Sequence, residues 1–326
     1  MIGPVTRAIF TPERLDLFWQ FLCERQTIWH RRCVERQLPP WTADDILQHE
    51  RFTNVYRELD PGTQYAILHI LDVPAPREDK IFNVMLYRLI GRAESHAALG
   101  FQYLDGFDPM HLVRVLRHLR DIEGKPPFTA AYMVSAYSSL GTADKIDSVA
   151  HIFGALQNHF SALYDRIMAS QTPAGVYEEM RRVYGFGNFL AYQVLVDLLY
   201  PLRVYGGAPL LPYAHDDWAC AGPGAQRGIG MLLHDGTQAA DLDVMRWLRA
   251  KQHEEFDRLG LHFPFMTNDA GRQVDISLAN IQNCLCEYHK YIKIREGTGR
   301  GRRKFRAPPI PAQLSFTAVW TERGEP

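Results

Sequence analysis

The stretch VYGFGNFLAYQVL, residues 183–195, decides the fold expected for this chain. Gly185 and Gly187 flank Phe186, and two glycines at that spacing permit a tight turn through conformations closed to other residues. Apolar residues then recur at helical spacing, so a helix is expected to start at once, with its first amides free to hold a phosphate oxygen. A helix-turn-helix corner that needs glycine only for close packing explains the same residues.

Helix signals extend through most of the sequence. Thr11-Pro12, Asp108-Pro109 and Thr172-Pro173 each place a capping side chain before a proline at the first helical position. Further helices are expected over residues 80–89, 144–168, 241–259 and 277–294. Alternating strands are scarce, although LSFTAVW near the end has that pattern. We expect an all-α fold of about a dozen helices.

The composition is that of a folded globular protein, with 326 residues, 46% hydrophobic residues and a formal net charge of -1. Binding to nucleic acid would therefore need a local basic surface. The segment REGTGRGRRKFR, residues 295–306, is such a surface, with six basic residues against one acidic residue. A solvated tail is the alternative.

The five cysteines form no CxxC pair and are typical of reduced cytoplasmic thiols. We expect no metal, no cofactor and a cytoplasmic location. The sequence has no secretory leader and no apolar run long enough to span a membrane. Three parts are expected: a helical lobe over 1–171, a hairpin lobe with an acidic loop over 172–294, and a basic tail over 295–326.

The first polar constellation is RFTNVYRELDPGTQ, residues 51–64. Helical spacing would put Asn54, Arg57 and either Asp60 or Gln64 along one side of a helix that continues into a turn. Arg57 could clamp a phosphate or a base edge through its planar guanidinium. A salt bridge from Arg57 to Asp60 that closes the helix is the alternative.

The second constellation is HDDWACAGPGAQRG, residues 215–228, in which two aspartates precede Trp218 and a Gly-Pro-Gly turn. Gly222 and Gly224 resemble half of a dinucleotide fingerprint, but no strand precedes them. The phosphate loop GxxxxGK[ST] is absent from the whole sequence, so we expect no nucleoside-triphosphate chemistry on this chain. Adjacent aspartates also commonly face solvent or cap a helix.

The third constellation is NIQNCLCEYHKYIK, residues 280–293. Asn283, Glu287, Lys290 and Tyr291 fall on one helical face. A carboxylate beside a lysine and a tyrosine could orient a substrate or a water molecule. A helix-stabilising pair of Glu287 and Lys290 is the alternative.

The order of RFTNVYRELDPGTQ, GFGNFLAYQ, DDWACAGPGAQRG and NCLCEYHKY resembles the alpha-glutamyl/putrescinyl thymine pyrophosphorylase family, over roughly residues 24–293. This helical family is related to helix-hairpin-helix DNA glycosylases and acts on hypermodified bases in phage DNA. The resemblance implies a helix-hairpin-helix glycosylase-like fold, with two helical lobes around a cleft. It also implies double-stranded DNA carrying modified bases as the partner. We expect a monomer.

The resemblance also implies roles for individual residues. Asn188-Phe189 stands where bifunctional glycosylases carry a catalytic lysine, so no lyase step is expected. The expected catalytic carboxylates are Asp217, then Asp216, with Glu287. The expected substrate-binding residues are Arg57, Asn54, Gln64, Trp218, Arg227, Asn283, Lys290 and Tyr291. The expected contacts to the DNA backbone are Gly185, Gly187, Asn188, Arg300, Arg302, Arg303 and Lys304.

Three functions remain open at this point. The favoured one is an anti-phage glycosylase that flips and excises glucosylated hydroxymethylcytosine, because the chain carries no kinase motif or fused domain. Asp217 would then stabilise positive charge at the sugar C1′. The second is a transferase in which an amino-acid amine displaces pyrophosphate, held by Arg57, Arg227 and Lys290, from a phosphorylated hydroxymethyl pyrimidine. The third is a DNA-binding module without enzymatic activity.

Overall fold

A computed structural model describes residues 5–129, 143–267, 271–301 and 304–307. Helices dominate these ranges, so the expected all-α fold is confirmed. In chain order the helices and strands are α1 (Pro12–Cys33), α2 (Asp45–His49), α3 (Pro61–Ala66), α4 (Arg77–Ile90), α5 (Ala93–Leu99), α6 (Pro109–Arg117), α7 (Lys145–Gln157), α8 (Phe160–Ala169), α9 (Pro173–Arg181), α10 (Asn188–Asp197), α11 (Pro223–Leu232), α12 (Asp241–Arg258), β1 (Met266–Thr267), β2 (Gln273–Val274) and α13 (Leu278–Arg295). Within the described ranges, no helix is long and apolar enough to cross a bilayer.

All three proline-marked helix starts are confirmed, with one difference in capping. The side chains of Asp108 and Thr172 accept hydrogen bonds from first-turn amides of α6 and α9. The Thr11 hydroxyl instead donates to the Leu233 carbonyl oxygen at 3.3 Å.

The helix expected over 144–168 is divided into α7 and α8 at residues 158–159. Neither of these two residues is a proline or a glycine, so the sequence carries no strong breaker at this point. The strand pattern LSFTAVW lies outside the described residues.

The described chain divides into two compact units. The first consists of the described residues of Met1–Asp60 and Ala214–Thr321, and the second of those of Pro61–Tyr213. The boundaries between the units lie at residues 60–61 and 213–214, and not at residue 171. The helix that Thr172 caps lies inside the second unit. The functional partition into 1–171, 172–294 and 295–326 stays a prediction, as do the helix-hairpin-helix identity and the cleft.

Aromatic side chains of α1 form the core of the first unit. Phe18 contacts Tyr288 of α13 edge-on, with ring centroids 5.4 Å apart, and Trp19 contacts Phe256 of α12 in the same way at 5.1 Å. All four side chains are buried. Since edge-to-face aromatic pairs stabilise beyond their burial alone, α1 is held firmly between α12 and α13.

Two glycines bring α11 into direct contact with α13. A Cβ atom on Gly228 would lie 2.2 Å from the Leu285 carbonyl oxygen, and one on Gly224 would lie 2.3 Å from the Cys286 Sγ atom. Residues four apart share one helical face, so both glycines face α13. Packing between these helices therefore accounts for Gly224, one of the two residues that resembled a dinucleotide fingerprint.

The second unit contains the expected hairpin between α9 and α10. Gly185 has a φ of 85°, which favours glycine, and α10 begins at Asn188. Gly187 has a φ of -77°, an ordinary extended conformation. The turn followed by a helix is thus confirmed, but the expectation that both glycines are needed for the turn is wrong for Gly187.

An ion pair ties α10 to α4 in the same unit. The Arg88 guanidinium donates two hydrogen bonds of 2.5 Å to the carboxylate of Asp197, which is fully buried. Such a bidentate pair fixes the relative orientation of two side chains.

Substituting Gly228→Ala should lower the free energy of unfolding by roughly 1–3 kcal/mol, because the new methyl group collides with the α13 backbone. Gly230→Ala is the matched control on the same helix, where nothing lies within 4 Å of the added Cβ. It should raise stability by about 0.5–1 kcal/mol. Urea denaturation of both variants checks this, and equal effects would contradict the close approach of α11 and α13.

Candidate functional site

The polar segment 51–60 is irregular and packs against α13 in the first unit. Only Arg57–Leu59 forms a single 3-10 turn within it, and α3 begins after it at Pro61. The expectation that Asn54, Arg57 and Asp60 share one side of a helix is therefore wrong. Hydrogen bonds within the segment and to α1 and α13 take the place of those of a helix.

Side chains of α13 hold the segment at its accessible end. Asn283 donates to the Thr53 hydroxyl at 2.9 Å, and the Thr53 amide donates to Glu287 at 3.2 Å. Lys290 pairs with Glu287 at 2.8 Å and also donates to the Arg51 carbonyl oxygen. The structure thus brings the first and third constellations together, and the helix-stabilising pair of Glu287 and Lys290 is present.

A buried set of hydrogen bonds continues inward from Thr53. Arg25 of α1 donates to the Thr53 carbonyl oxygen at 3.0 Å and to the Asn54 Oδ1 atom at 2.8 Å. The Asn54 side chain donates in turn to Asp60 at 3.1 Å and to the Leu59 carbonyl oxygen at 2.9 Å. Asn54 therefore fixes the turn at the end of the segment and is not accessible to a ligand.

A second buried set lies one helical turn earlier on α13. The Asn280 Oδ1 atom accepts from the Arg57 amide at 2.9 Å, and its Nδ2 atom donates to Glu58 at 3.1 Å. All three residues are buried. Together with Arg25, Asn54 and Asp60 they form what we call the buried polar cluster.

Burial changes the protonation of two carboxyl groups in this cluster. Desolvation raises the pKa of Glu58 to about 7, against the opposing effects of its own backbone amide, Asn280 and Arg57. Desolvation likewise raises the pKa of Asp60 to about 6, opposed by the Asn54 amide and two arginines. Both carboxyl groups thus titrate close to neutral pH, which is unusual for structural acids and frequent at functional sites.

The pKa of the Cys286 thiol depends on burial and on nearby charged side chains. Burial and then Glu287 raise the pKa of Cys286 to about 11, while the charges of Lys290, Arg227 and Arg57 lower it. Arg227 projects from α11 and is exposed. Of the three cations that were expected to share an anion, Arg57 is buried, and their joint role stays a prediction.

The acidic pair makes structural contacts. Asp216 accepts from the Leu278 amide at the start of α13 at 2.8 Å and pairs with Arg249, also at 2.8 Å. Asp217 accepts from the Ala214 amide at 2.7 Å. Asp216 thus caps the first amide of α13, whereas Asp217 closes a local turn.

The remaining expected residues are dispersed. Trp218 is half-buried, and the buried Tyr291 donates to Asp44 at 2.6 Å, which joins α13 to the capping residue of α2. Desolvation and this contact raise the pKa of Tyr291 to about 12. The second unit contains Gln64, Gly185, Gly187 and Asn188.

The basic segment is attached to the first unit where it is described. Arg300 is exposed, whereas Lys304 pairs with Glu50, and the Phe305 amide donates to the His49 carbonyl oxygen at 2.8 Å. Arg302 and Arg303 lie outside the described residues. Residues 304–305 are therefore docked on the residues after α2 and are not a free tail.

Sequence reasoning missed three members of the buried polar cluster. Arg25 lies three residues after Leu22 and four before Trp29, so helical spacing alone places it among buried residues of α1. An arginine there signals a buried partner. Glu58 and Asn280 carry weaker signals, since only the fold shows that they meet.

The chain matches a family described as "5-hmdU DNA kinase, helical domain" over residues 12–301. It belongs to this family. A 5-hmdU DNA kinase of Bacillus phage SP10 is 27% identical to it over 287 residues, which make up 85% of the chain and 44% of the phage protein. This member of the helical-domain family thus spans less than half the length of that relative. No solved structure matches it.

The expected glycosylase function is wrong, because both the family and the phage relative are named for a DNA kinase, an enzyme that phosphorylates DNA. The expected hydrolysis of an N-glycosidic bond and the defence role fall with it, as do the catalytic roles of Asp216 and Asp217 in base excision. A family of phage thymine-modification enzymes is supported, but the pyrophosphorylase assignment is not confirmed. The monomeric state and cytoplasmic location stay predictions.

The stability of the protein should depend on Glu58 between about pH 4.5 and pH 7, because the folded state retains a proton that the unfolded chain releases. This contribution is fully present below pH 4.5 and is lost as the pH rises through about 7. Between these two pH values, the free energy of unfolding should fall by roughly 3 kcal/mol less in the Glu58→Gln variant than in the unsubstituted protein. Urea denaturation across the window measures it.

The matched control is Glu254→Gln, which removes an exposed carboxylate of α12. It should leave the pH dependence unchanged. A Glu58→Gln variant with the slope of the unsubstituted protein would contradict the raised pKa.

Asp216→Ala should lower the free energy of unfolding by about 1 kcal/mol, because the Leu278 amide loses its acceptor at the start of α13. The accompanying ion pair with Arg249 is exposed and adds little. Thermal denaturation of the Asp216→Ala and Arg249→Ala variants separates the two contacts. An Arg249→Ala variant as unstable as Asp216→Ala would contradict the capping role.

Proposed function

We propose that this chain is the DNA-binding part of a 5-hmdU kinase and holds the 5-hydroxymethyluracil base for phosphorylation of its hydroxymethyl oxygen. Membership of the helical-domain family and the name of the phage relative support this function. The observation that carries it is the junction of segment 51–60 with α13. There, two carboxyl groups that titrate near neutral pH lie behind an accessible group of polar side chains.

The accessible end of the junction has the groups needed to recognise a uracil ring. Uracil presents an N3–H donor between two carbonyl acceptors, which an asparagine side chain can complement. The amide nitrogen of Asn283 is engaged by Thr53, while its Oδ1 atom accepts no hydrogen bond from the described residues. Asn283 is half-buried, so this oxygen is assigned to the N3–H group of the base.

Glu287 is the group proposed to activate the hydroxymethyl oxygen. Its side chain is 15% exposed and lies four residues after Asn283, one helical turn along the same face. Phosphorylation joins the hydroxymethyl oxygen to the terminal phosphorus of a nucleoside triphosphate, expels the diphosphate and releases the hydroxyl proton. Glu287 would accept that proton, and Lys290, which is paired with it, would stabilise charge on the transferred group.

The proposal assigns nucleotide binding to a separate kinase domain. The sequence contains no GxxxxGK[ST] phosphate loop that could bind a nucleoside triphosphate. The family description itself distinguishes a helical domain of the kinase. The exposed Arg227 and the half-buried Lys290 would then bind the phosphates of DNA or of the incoming nucleotide.

Binding to duplexes that differ only at one base tests this function. The chain should bind a duplex with one 5-hydroxymethyluracil about tenfold more tightly than the same duplex with thymine, measured by fluorescence anisotropy. Glu287→Gln should remove most of this preference, because Glu287 is the group that meets the hydroxymethyl oxygen. Asn283→Ala should weaken binding to both duplexes, because thymine presents the same N3–H group. Lys290→Ala should weaken binding to both duplexes and lower the salt dependence by about one phosphate contact.

The matched controls are Lys251→Ala and Glu254→Gln, because these residues form the same kind of three-residue pair on α12 as Glu287 and Lys290 do on α13. Both control variants should bind like the unsubstituted chain. Equal affinity for the two duplexes, a preference that survives Glu287→Gln, or unchanged binding of both duplexes by Asn283→Ala would overturn the proposal.

A further inference from the structure

The loop that follows α1 carries the most exposed large apolar side chain among the described residues. Leu38 is 86% exposed, and residues 34–40 are all exposed. Full exposure of a leucine forgoes the free energy that burial of its side chain would supply. Single exposed leucines are common, so the structure around Leu38 decides whether this one has a role.

The base of the loop is rigid. The Gln37 amide donates to the Arg31 carbonyl oxygen at 2.9 Å, and the Trp41 indole donates to the Gln37 carbonyl oxygen at 2.8 Å. The Arg31 guanidinium donates to the Trp41 carbonyl oxygen at 2.7 Å. These three hydrogen bonds close the loop below its tip, so Leu38 projects from a fixed support and not from a disordered excursion.

The backbone next to Leu38 is strained. Arg36 has a φ of 58° and is the one non-glycine residue of the described chain with a positive φ. This conformation is unfavourable for a residue with a Cβ atom and persists only where the surroundings impose it. A strained backbone at Arg36, two residues before an exposed leucine, indicates that the loop conformation serves a function and not stability alone.

Exposed arginines lie on the loop and on the segment that contacts it. The exposed Arg36 has no ion-pair partner among the described residues, and Glu35 is paired with His30 at 3.1 Å. The rings of Trp41 and Phe305 are in edge contact, with centroids 6.2 Å apart, which brings the basic segment alongside the loop. Its exposed Arg306 adds a further cation.

We propose that Leu38 inserts between base pairs of duplex DNA while the arginines beside it bind the flanking phosphates. Apolar wedges of this kind unstack a base step and are offset by contacts to the backbone. The exposed arginines favour DNA over an apolar groove of another protein as the occupant. This inference rests on the proposed function, since a kinase that phosphorylates a base inside a duplex must first expose it.

Direct contacts connect the loop to the site on α13. The Trp41 ring meets Phe305, whose amide bonds to the residue before Glu50. Arg51 then follows, and its carbonyl oxygen accepts from Lys290 beside Glu287. One stretch of the first unit thus carries both the wedge and the carboxylate that would meet an extruded base.

The test uses the full chain and a duplex with 2-aminopurine next to 5-hydroxymethyluracil. Binding should raise the 2-aminopurine fluorescence at least about twofold as the step unstacks. Leu38→Gly should abolish this rise and weaken binding about tenfold, whereas Leu38→Met should retain both. Because the side chain is exposed, these substitutions leave folding intact.

Ile122→Ala is the control, since Ile122 is 73% exposed and belongs to the second unit. It should change neither signal. A Leu38→Gly variant that binds and unstacks the duplex like the unsubstituted chain would overturn the wedge. That result would favour a protein as the partner of Leu38 instead. An unsubstituted chain that does not distinguish 5-hydroxymethyluracil from thymine would instead overturn the proposed function.

Discussion

Segment 51–60 must exchange water for protein hydrogen-bond partners when it packs on α13, because it lacks the internal hydrogen bonds of a helix. Asn280 and Asn283 supply those partners from α13, and Arg25 supplies more from α1. The close approach of α11 through Gly224 and Gly228 fixes α13 from another side. An irregular segment is therefore held between helices by hydrogen bonds to its backbone and side chains, and its carboxyl groups are desolvated.

Desolvation of Glu58 and Asp60 costs stability, and hydrophobic residues of similar size would avoid that cost. The proposed DNA-binding role explains why ionisable groups are retained behind Asn283 and Glu287. Glu58 is buried, and Asp60 accepts hydrogen bonds from Asn54 within the segment, so we regard both as groups that position the segment. The chemistry is assigned to the half-buried Glu287, which the same contacts orient.

The helices could be predicted from the sequence, because the spacing of apolar residues in long helices such as α12 and α13 indicates which face is buried. Segment 51–60 did not, because the partner of Arg57 lies 223 positions later, where no local pattern can indicate it. The accessible pair of Glu287 and Lys290 was found from spacing alone. The reaction was predicted wrongly, because residues shared across a scaffold specify DNA modification more readily than the bond that is made or broken.

The proposed binding of modified DNA at the junction of segment 51–60 and α13 can be measured by hydrogen–deuterium exchange, with and without a duplex that contains 5-hydroxymethyluracil. Exchange should become slower on binding in peptides covering residues 51–60 and 283–293, with less protection when thymine replaces the modified base. Protection confined to the hairpin at residues 184–190, or equal for the two duplexes, would contradict the proposed binding.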